Sequence, residues 1–375
     1  MSKQPDVLII GGGVIGLTTA YFLAREGVSV AVMDKGDFGQ EASWAGAGIL
    51  PPGNLGQAPT PFRQLRAHSA ALFPTLSAEL RDRTGVDNGY LRCGGLEFID
   101  PESGVATEEW RSEGIAFEPV DDNRLRQLEP ALRSGLGTAY YLPDMAQVRN
   151  PRHLRALLAG CQLLGVRLQP GCPVLGFEIQ SQRVAAVRTE HGLAKAGKFL
   201  LAAGAWSEAL LQPIGWEPGI HPVRGQIALI NTGTPLFHRV LLRGPRYLVP
   251  RPDGRVLVGS TEEEAGFNKR TTTGAIGDLL SLAHRLVPRL AEAHLERCWA
   301  GLRPGSPDGM PFLGAVPGFE NLFVAAGHFR AGIQLSPVTA LVLKELFLGQ
   351  ALTVPLEFFR LDRTSSRSRQ SAFQS

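Results

Sequence analysis

The first regular pattern in the chain is a run of apolar residues, Val7 to Ile10, followed by a glycine-rich turn and an amphipathic stretch. A second apolar run, Val28 to Met33, ends at the acidic residue Asp34. This order predicts a strand, a helix and a second strand that closes on a carboxylate. That arrangement is the βαβ unit with which many proteins bind a dinucleotide.

The glycines of the turn have distinct predicted roles. Gly11 permits the tight turn, Gly13 lets the backbone approach a pyrophosphate, and Gly16 lets helix and strand pack closely. The start of the helix offers free N–H groups and a partial positive charge to the phosphates. Asp34 is expected to accept hydrogen bonds from a ribose hydroxyl. The motif alone leaves both FAD and a nicotinamide dinucleotide open.

Hydrophobic spacing also predicts elements in the rest of the chain. Helical spacing occurs over Leu65 to Leu80, Arg152 to Gly165 and Ile276 to Leu286. A last helix is predicted to begin with Ser336 as its N-cap and Pro337 in its first turn, and to end at Gly349. Apolar runs predict strands at 96–99, 166–169, 173–179, 183–189, 199–203, 226–230, 247–250, 256–258 and 322–326.

The nucleotide-binding patterns lie at both ends of the chain and in its middle, which predicts a mixed α/β and α+β fold. Residues 1–50, 145–220 and 300–362 are expected to form a Rossmann-like cofactor domain from discontinuous segments. Residues 51–144 and 221–299 are expected to form a β-rich substrate domain, with an antiparallel sheet and flanking helices. The Ser- and Arg-rich tail, 363–375, is expected to be disordered.

Composition narrows the class of protein. The 375 residues are 44% hydrophobic and 19% charged, which favours a globular protein with a large core. A net charge of +3 is too small to favour a nucleic-acid partner. The four cysteines are far apart and predict neither a metal site nor disulfides. The apolar runs predict no membrane span, and the expected location is the cytoplasm.

Several longer motifs resemble those of the D-amino-acid-oxidase-like superfamily of FAD-dependent oxidoreductases, and within it the glycine oxidase family of thiamine biosynthesis. The resemblance extends over nearly all of residues 5–362. It rests on the ordered set GGGVIG, SWAGAGIL, YLPDMAQVRNPRHL (141–154), LAAGAWS (201–207), VRGQ (223–226), YLVPR (247–251), LVGSTEE (257–263), WAGLRPGSPDGMPFLG (299–314) and AAGHFRAG (325–332).

The resemblance implies FAD as the cofactor, held noncovalently. It places one group of residues around the ADP half and the pyrophosphate, and another around the flavin ring. The implied cofactor-binding residues are Gly11, Gly13, Val14, Ile15, Gly16, Asp34, Lys35, Ser43, Ala47, Gly48, Val174, Ala203, Gly204, Gly327, Arg330, Gly332 and Ile333. No metal is implied.

The resemblance also implies a substrate pocket for a small amino acid. A guanidinium matches a carboxylate in a planar, bidentate way, so Arg303 is the expected anchor. Tyr247 is expected to donate to the same carboxylate, and Arg330 to border the substrate. Glu262 is also a candidate substrate-binding residue and stands where some relatives have an apolar side chain lining the site. A carboxylate near the substrate amine would favour a cationic or extended substrate, but Glu262 is expected to point to solvent. Pro245 stands where some glycine oxidases have a histidine.

The implied reaction is oxidative deamination of glycine, sarcosine or a small D-amino acid, with oxygen reduced to hydrogen peroxide. No residue is expected to act as an essential acid or base, and His328 is expected to be structural. A homo-oligomer, by resemblance a tetramer, is expected. Three alternatives stay open: a dehydrogenase of the same fold with another electron acceptor, a nicotinamide-linked reductase, and a non-enzymatic flavin-binding protein.

Overall fold

A computed structural model describes residues 4–99 and 105–363. The α-helices in these residues are α1 (Val14–Arg25), α2 (Ala42–Ala45), α3 (Pro61–Thr84), α4 (Val105–Ser112), α5 (Asp122–Leu128), α6 (Asn150–Leu163), α7 (Ser207–Leu211), α8 (Thr273–Leu286) and α9 (Gly332–Leu348).

The β-strands belong to four sheets. They are β1 (Val7–Ile10), β2 (Val30–Met33), β3 (Ile49–Leu50), β4 (Leu91–Arg92), β5 (Gly95–Phe98), β6 (Glu118–Val120), β7 (Ala139–Leu142), β8 (Ala146–Gln147), β9 (Arg167–Gln169), β10 (Val174–Gln180), β11 (Arg183–Thr189), β12 (Gly192–Ala194), β13 (Lys198–Leu201), β14 (His221–Asn231), β15 (Val240–Arg243), β16 (Arg246–Pro250), β17 (Arg255–Gly259), β18 (His294–Gly305), β19 (Phe312–Ala315) and β20 (Leu322–Ala326).

A six-stranded sheet contains the N-terminal βαβ unit in the order β19-β20-β13-β1-β2-β9. All its pairings are parallel except that of the edge strand β19. Every residue of β1 is buried because both faces of the sheet are covered. Val7 and Ile9 face a core shared with α1, α3, α6 and α9, whereas Leu8 and Ile10 face a second core shared with the β10-β11-β12 sheet.

An eight-stranded sheet runs in the order β18-β14-β17-β16-β15-β5-β7-β6. Its pairings are antiparallel except the one between β15 and β5. Helix α8 packs on one face of this sheet in an apolar core. The other face turns toward the segment that contains α2 and β3. The predicted mixture of a Rossmann-like sheet and a largely antiparallel sheet is therefore confirmed.

The start of the last helix differs from the sequence prediction. Helix α9 begins at Gly332, so Ser336 and Pro337 lie inside it rather than at its N-terminus. Pro337 lacks the N–H that would donate to the carbonyl of Ile333, and the hydroxyl of Ser336 donates to that carbonyl instead, at 3.0 Å. This local replacement lets the helix tolerate the proline. Gly349 ends the helix in a left-handed conformation, as predicted.

The proposed division into two domains stays a prediction. Strand β18 runs across the proposed boundary at residue 300, and α3, assigned to the substrate domain, contributes to the core beneath the six-stranded sheet. Most of the predicted disordered tail, 364–375, lies outside the described residues. The segment Phe329–Leu348 is long and apolar enough to cross a membrane, but 61% of it is buried in the protein, as in the core helix of a globular fold.

Gly16 gives the first test of this fold. A Cβ atom at this position would lie 1.9 Å from the carbonyl oxygen of Gly11. We expect Gly16→Ala to destabilise the protein by about 1–3 kcal/mol despite the roughly 1 kcal/mol better helix propensity of alanine, because backbone atoms would have to move apart. Urea denaturation of the FAD-loaded protein measures the change.

The matched control for this test is Gly36→Ala. A Cβ atom at Gly36 would meet nothing within 4 Å. This variant is expected to unfold at the same urea concentration as the wild type. Equal stability of the two variants would contradict the close packing of α1 against the turn.

Candidate active site

Two neighbouring cavities lie between the six-stranded and eight-stranded sheets. The first, which we call the turn cavity, lies at the carboxyl ends of β1 and β2. The second, the sheet cavity, faces the eight-stranded sheet. The two cavities share part of their lining: Ala42, Gly46, Arg303, His328, Phe329, Arg330 and Ile333.

The glycine turn forms the floor of the turn cavity. Gly11 has a φ of 108°, and a Cβ atom there would lie 2.3 Å from the carbonyl oxygen of Ala202. Only glycine fits this position without strain. Helix α1 begins at the cavity without a side-chain cap and without an acidic residue in its first turn, so its positive end favours an anion.

Asp34 and Ser43 complete the polar lining near the turn. The Asp34 carboxylate accepts hydrogen bonds from the backbone N–H groups of Gly12, at 2.7 Å, and Gly36, at 3.0 Å. Burial raises the pKa of this carboxyl, and the two backbone donors oppose the effect. The hydroxyl of Ser43 accepts from the N–H of Val14 at 2.9 Å, which brings the SWAGAGIL segment against the start of α1.

The cofactor residues implied by the resemblance lie mostly around the turn cavity. Ala47 and Gly48 instead line the sheet cavity. Gly16 and Gly327 line neither cavity: Gly16 packs on Gly11, and the open side of Gly327 faces Phe312 and Ser306. The turn cavity is lined by the others, Gly11, Gly13, Val14, Ile15, Asp34, Lys35, Ser43, Val174, Ala203, Gly204, Arg330, Gly332 and Ile333.

Arg303 and Tyr247 meet on the sheet face. The guanidinium of Arg303 donates to the carbonyl oxygen of Thr261, at 3.1 Å, and to the hydroxyl of Ser260, at 2.6 Å. Burial lowers the pKa of Arg303, and the nearby Tyr247 hydroxyl offsets part of this effect. Among the described residues, no carboxylate lies within ion-pair distance of Arg303. The charged guanidinium therefore forms hydrogen bonds to neutral groups, the Thr261 carbonyl and the Ser260 hydroxyl.

Two glycines make room for these side chains. A Cβ atom at Gly225 would lie 2.3 Å from the guanidinium nitrogens of Arg303. A Cβ atom at Gly259 would lie 2.6 Å from the Tyr247 ring and hydroxyl. The glycines of the VRGQ and LVGS motifs therefore leave space for the Arg303 and Tyr247 side chains because they have no side chain of their own. Larger residues at these two positions would displace the Arg303 guanidinium and the Tyr247 ring.

Arg330 lies where the two cavities meet and pairs with Glu262. The Glu262 side chain keeps 35% of its surface exposed, and the sequence analysis did not anticipate this ion pair. Burial lowers the pKa of Arg330, and Tyr247 opposes the effect. The preceding residue, Phe329, has a φ of 48°, which is uncommon for a bulky residue and marks a locally constrained backbone.

His328 lies beside both cavities but is tied to the protein interior. Its Nε2 atom is 3.1 Å from the hydroxyl of Thr339 on α9, and the residue is only 3% exposed. Burial lowers the pKa of His328 to about 3, so the imidazole is neutral at physiological pH. A neutral, hydrogen-bonded ring agrees with a structural role.

Two side-chain donors that were not predicted from the sequence, Arg251 and Trp299, fix the segment between the cavities. The buried Arg251 guanidinium donates to the carbonyl oxygens of Ala47, at 2.7 Å, and Val148, at 3.1 Å. The Trp299 indole N–H donates to the carbonyl oxygen of Ala45 at 3.0 Å. Because Trp299 lies in the eight-stranded sheet and Arg251 directly follows its strand β16, the two donors hold the SWAGAGIL segment against this sheet. The YLVPR and WAGLRPG motifs contained these residues, but spacing alone gave no sign of their partners.

Glu97 is another residue that the sequence analysis missed. It lies on β5, is 8% exposed and lines the sheet cavity. Its Oε2 atom is buried and has no hydrogen-bond partner among the described residues. Burial raises the pKa of this carboxyl to about 8. The only available signal was an acidic residue within an apolar strand pattern, Gly95 to Ile99.

Comparisons with known proteins agree with this architecture. A model of the family described as DAO, FAD dependent oxidoreductase, matches residues 6–346. Glycine oxidase from Pseudomonas putida is 38% identical over 351 residues, which are 93% of this chain and 95% of that protein. Hydrogen cyanide synthase subunit HcnC from Pseudomonas aeruginosa is 34% identical, with 95% of each chain covered.

A solved structure agrees closely as well. The crystal structure of glycine oxidase from Geobacillus kaustophilus superposes with a TM-score of 0.91 at 32% identity, covering 97% of this chain and 100% of that one. The chain belongs to the DAO family of FAD-dependent oxidoreductases. More narrowly, it is an FAD-dependent amine or amino-acid oxidase. This decides against the nicotinamide-linked and non-enzymatic alternatives.

The residues of the turn cavity fit FAD. The excluded Cβ at Gly11 and the uncapped positive end of α1 suit a pyrophosphate, and the ordered Asp34 carboxylate suits a ribose. The adjoining Gly332 and Ile333 lie at the start of α9, whose positive end also faces the cavity lining. Such an arrangement favours a cofactor with a pyrophosphate near α1 and a ring that gains negative charge on reduction near α9.

The raised pKa of Glu97 predicts a pH dependence of stability. The folded protein keeps the proton up to about pH 8, whereas the unfolded chain releases it near the ordinary value of 4.5. Stability therefore falls as pH rises between these values, by up to about 1.4 kcal/mol per pH unit from this group alone. Urea denaturation at pH 5.5, 6.5 and 7.5, in excess FAD, compares the wild type with Glu97→Gln.

We expect the wild type to lose stability more steeply with rising pH than Glu97→Gln, since the amide does not titrate. The difference between the two slopes isolates Glu97 from all other titrating groups. Parallel slopes for the two proteins would mean that Glu97 titrates normally in the folded state.

Proposed function

We propose that this enzyme catalyses the oxidative deamination of glycine or another small primary or secondary amino acid, such as sarcosine or a small D-amino acid, with oxygen as the electron acceptor. The observation that carries the proposal is Arg303, a cation that lies where the two cavities meet and has no acidic partner among residues 4–99 and 105–363. A substrate carboxylate would supply the missing negative charge. The glycine oxidases among the relatives support this assignment.

The proposed anchor has three parts. The Arg303 guanidinium binds the substrate carboxylate, and the Tyr247 hydroxyl donates to the same group. Ser260 and the Thr261 carbonyl hold the guanidinium in place from the other side. Arg330 borders the substrate while Glu262 neutralises part of its charge. Together these contacts fix the carboxylate end and leave the amino nitrogen and the α-carbon facing the turn cavity.

No residue is assigned as a general acid or base. When bound, FAD would supply the two-electron acceptor for oxidation of the bond between the α-carbon and its hydrogen. The buried, neutral His328 supports the wall through Thr339, and the positive end of α9 favours negative charge nearby. The resulting imine is hydrolysed by water to a 2-oxo acid and ammonia, or to a 2-oxo acid and an amine when the substrate is a secondary amino acid, and oxygen is reduced to hydrogen peroxide.

Two further expectations belong to the proposal. A homo-oligomer, by family resemblance a tetramer, and a cytoplasmic location both stay predictions. Size-exclusion chromatography with light scattering measures the first directly.

Anaerobic titration of the purified yellow protein tests the reaction. We expect glycine or sarcosine to bleach the flavin absorbance, and admission of air to restore the colour with formation of hydrogen peroxide. D-Alanine and D-proline, tested in the same way, rank the side chains that the cavity accepts. Bleaching without rapid recovery in air would point instead to a dehydrogenase, and the absence of bleaching by all four would remove the substrate assignment.

Replacement of the anchor tests the site. We expect Arg303→Ala to weaken substrate binding by about 2–5 kcal/mol, the scale for loss of one partner of a buried charge pair, and to raise KM by at least about 30-fold. Arg297→Ala is the matched control, because Arg297 lies exposed on the same strand. A KM for Arg303→Ala close to the wild-type value would assign the carboxylate to another residue.

A further inference from the structure

Glu97 occupies an unusual position for an acidic residue. It is one of four residues of β5, all of them buried, and it lines the sheet cavity rather than the protein surface. Burial of a carboxyl oxygen without a hydrogen-bond partner lowers the stability of the folded protein. A bound ligand that supplies the partner would offset this cost. An apolar residue would suit this strand better for stability alone.

The sheet register relates Glu97 to the carboxylate anchor. Glu97 pairs with Leu242 on β15, and Leu242 pairs with Tyr247 on β16. Residues directly opposite each other on neighbouring strands point to the same face, and neighbouring strands are about 4.8 Å apart. Glu97 and Tyr247 therefore face one cavity from backbones about 10 Å apart. The intervening Leu242 gives this part of the wall an apolar surface.

No residue in the described part of the chain forms an ion pair with Glu97. Besides Arg303 and Arg330, two cations line the sheet cavity, Arg66 and Arg246. The Arg66 guanidinium is paired with Glu113 at 2.6 Å. Neither arginine forms an ion pair with Glu97, and burial is the only cause that shifts its pKa. The carboxyl therefore faces the cavity without a cationic neighbour that shifts its pKa, as far as the described residues extend.

We propose that Glu97 is a specificity-determining residue that binds a cationic nitrogen at the far end of the substrate, so that the enzyme accepts amino acids with a second amino group on the side chain. This inference rests on the proposed function and extends it. Arg303 holds the α-carboxylate at one end of the cavity, the apolar wall at Leu242 covers the methylenes, and Glu97 receives the distal ammonium group. Glycine fills only the Arg303 end.

The buried carboxyl of Glu97 also selects against other substrates. Burial keeps it protonated near neutral pH, and a distal ammonium group favours release of this proton to solvent and then forms a charge-assisted hydrogen bond with the carboxylate. A distal carboxylate would instead be desolvated beside another acid without gaining a cationic partner. An uncharged alkyl chain of the same length would leave the carboxyl unsatisfied. The expected order of preference is therefore D-lysine or D-ornithine over D-norleucine, and D-norleucine over D-glutamate.

Ligand binding tests the inference without turnover. Both 5-aminopentanoate and pentanoate offer a carboxylate to Arg303, but only the first carries a distal ammonium group. We expect the wild-type holoenzyme to bind 5-aminopentanoate at least about tenfold more tightly than pentanoate, measured by perturbation of the flavin spectrum. In Glu97→Leu the preference should disappear, and in Glu97→Gln it should fall severalfold. Equal affinities in the wild type would overturn the inference.

Substrate selectivity gives the second readout. The ratio of kcat/KM for D-lysine to that for D-norleucine should fall at least about tenfold in Glu97→Leu, while kcat/KM for glycine changes less than about twofold. Glu118→Gln removes an exposed carboxylate on β6 of the same sheet and is expected to leave the ratio unchanged. FAD content and thermal unfolding of each variant verify folding, and Glu97→Gln replaces Glu97→Leu if the latter does not fold.

The outcomes separate this inference from the proposed function. Oxidation of glycine or D-norleucine without preference for D-lysine would overturn the role of Glu97 and leave the amino-acid oxidase standing. Failure of the wild type to oxidise any amino acid in the panel would remove both. An unchanged selectivity ratio in a folded Glu97→Gln or Glu97→Leu protein would also overturn it.

Discussion

The charge of Arg303 is the constraint on which the candidate site depends. The guanidinium is held at the cavity wall by a carbonyl and a hydroxyl, neither of which neutralises it. A desolvated cation of this kind is costly unless a ligand supplies the negative charge. The surrounding sheet meets this demand sterically, since Gly225 and Gly259 leave space where any side chain would collide with Arg303 or Tyr247. The absence of a side chain at Gly225 and Gly259 is therefore as necessary for this arrangement as Arg303 itself.

The segment from Ala42 to Leu50 connects the two halves of this site. At its start, Ser43 accepts a hydrogen bond from the first turn of α1, under the six-stranded sheet. A few residues later its carbonyl groups accept hydrogen bonds from Trp299, in the eight-stranded sheet, and from Arg251, directly after strand β16 of that sheet. Because one short segment is fixed from both sides, the position of the turn cavity relative to Arg303 is set by a few polar contacts.

Local patterns in the sequence were sufficient to predict many of the elements and the glycine turn. Apolar runs such as Val7 to Ile10 indicated strands, and the glycine spacing after the first of them indicated the turn. Long-range partners were not predictable. Nothing in the spacing connected Glu262 with Arg330, or Arg251 with Ala47, because these contacts depend on how the sheets meet. The N-terminus of α9 was misplaced because Ser336 and Pro337 resemble a cap locally, while the hydroxyl of Ser336 lets the helix continue through them.

The order of strands in the six-stranded sheet has a consequence for the making of the protein. The central strand β1 comes from the beginning of the chain, whereas β20, two strands away, and α9, which packs on α1, come from its end. Contacts between residues so distant in sequence require closure of a very long loop. During synthesis, the glycine turn therefore emerges long before Arg303 and Arg330. Until α9 is released, the newly made chain has the turn and the start of α1 but lacks one wall of the turn cavity.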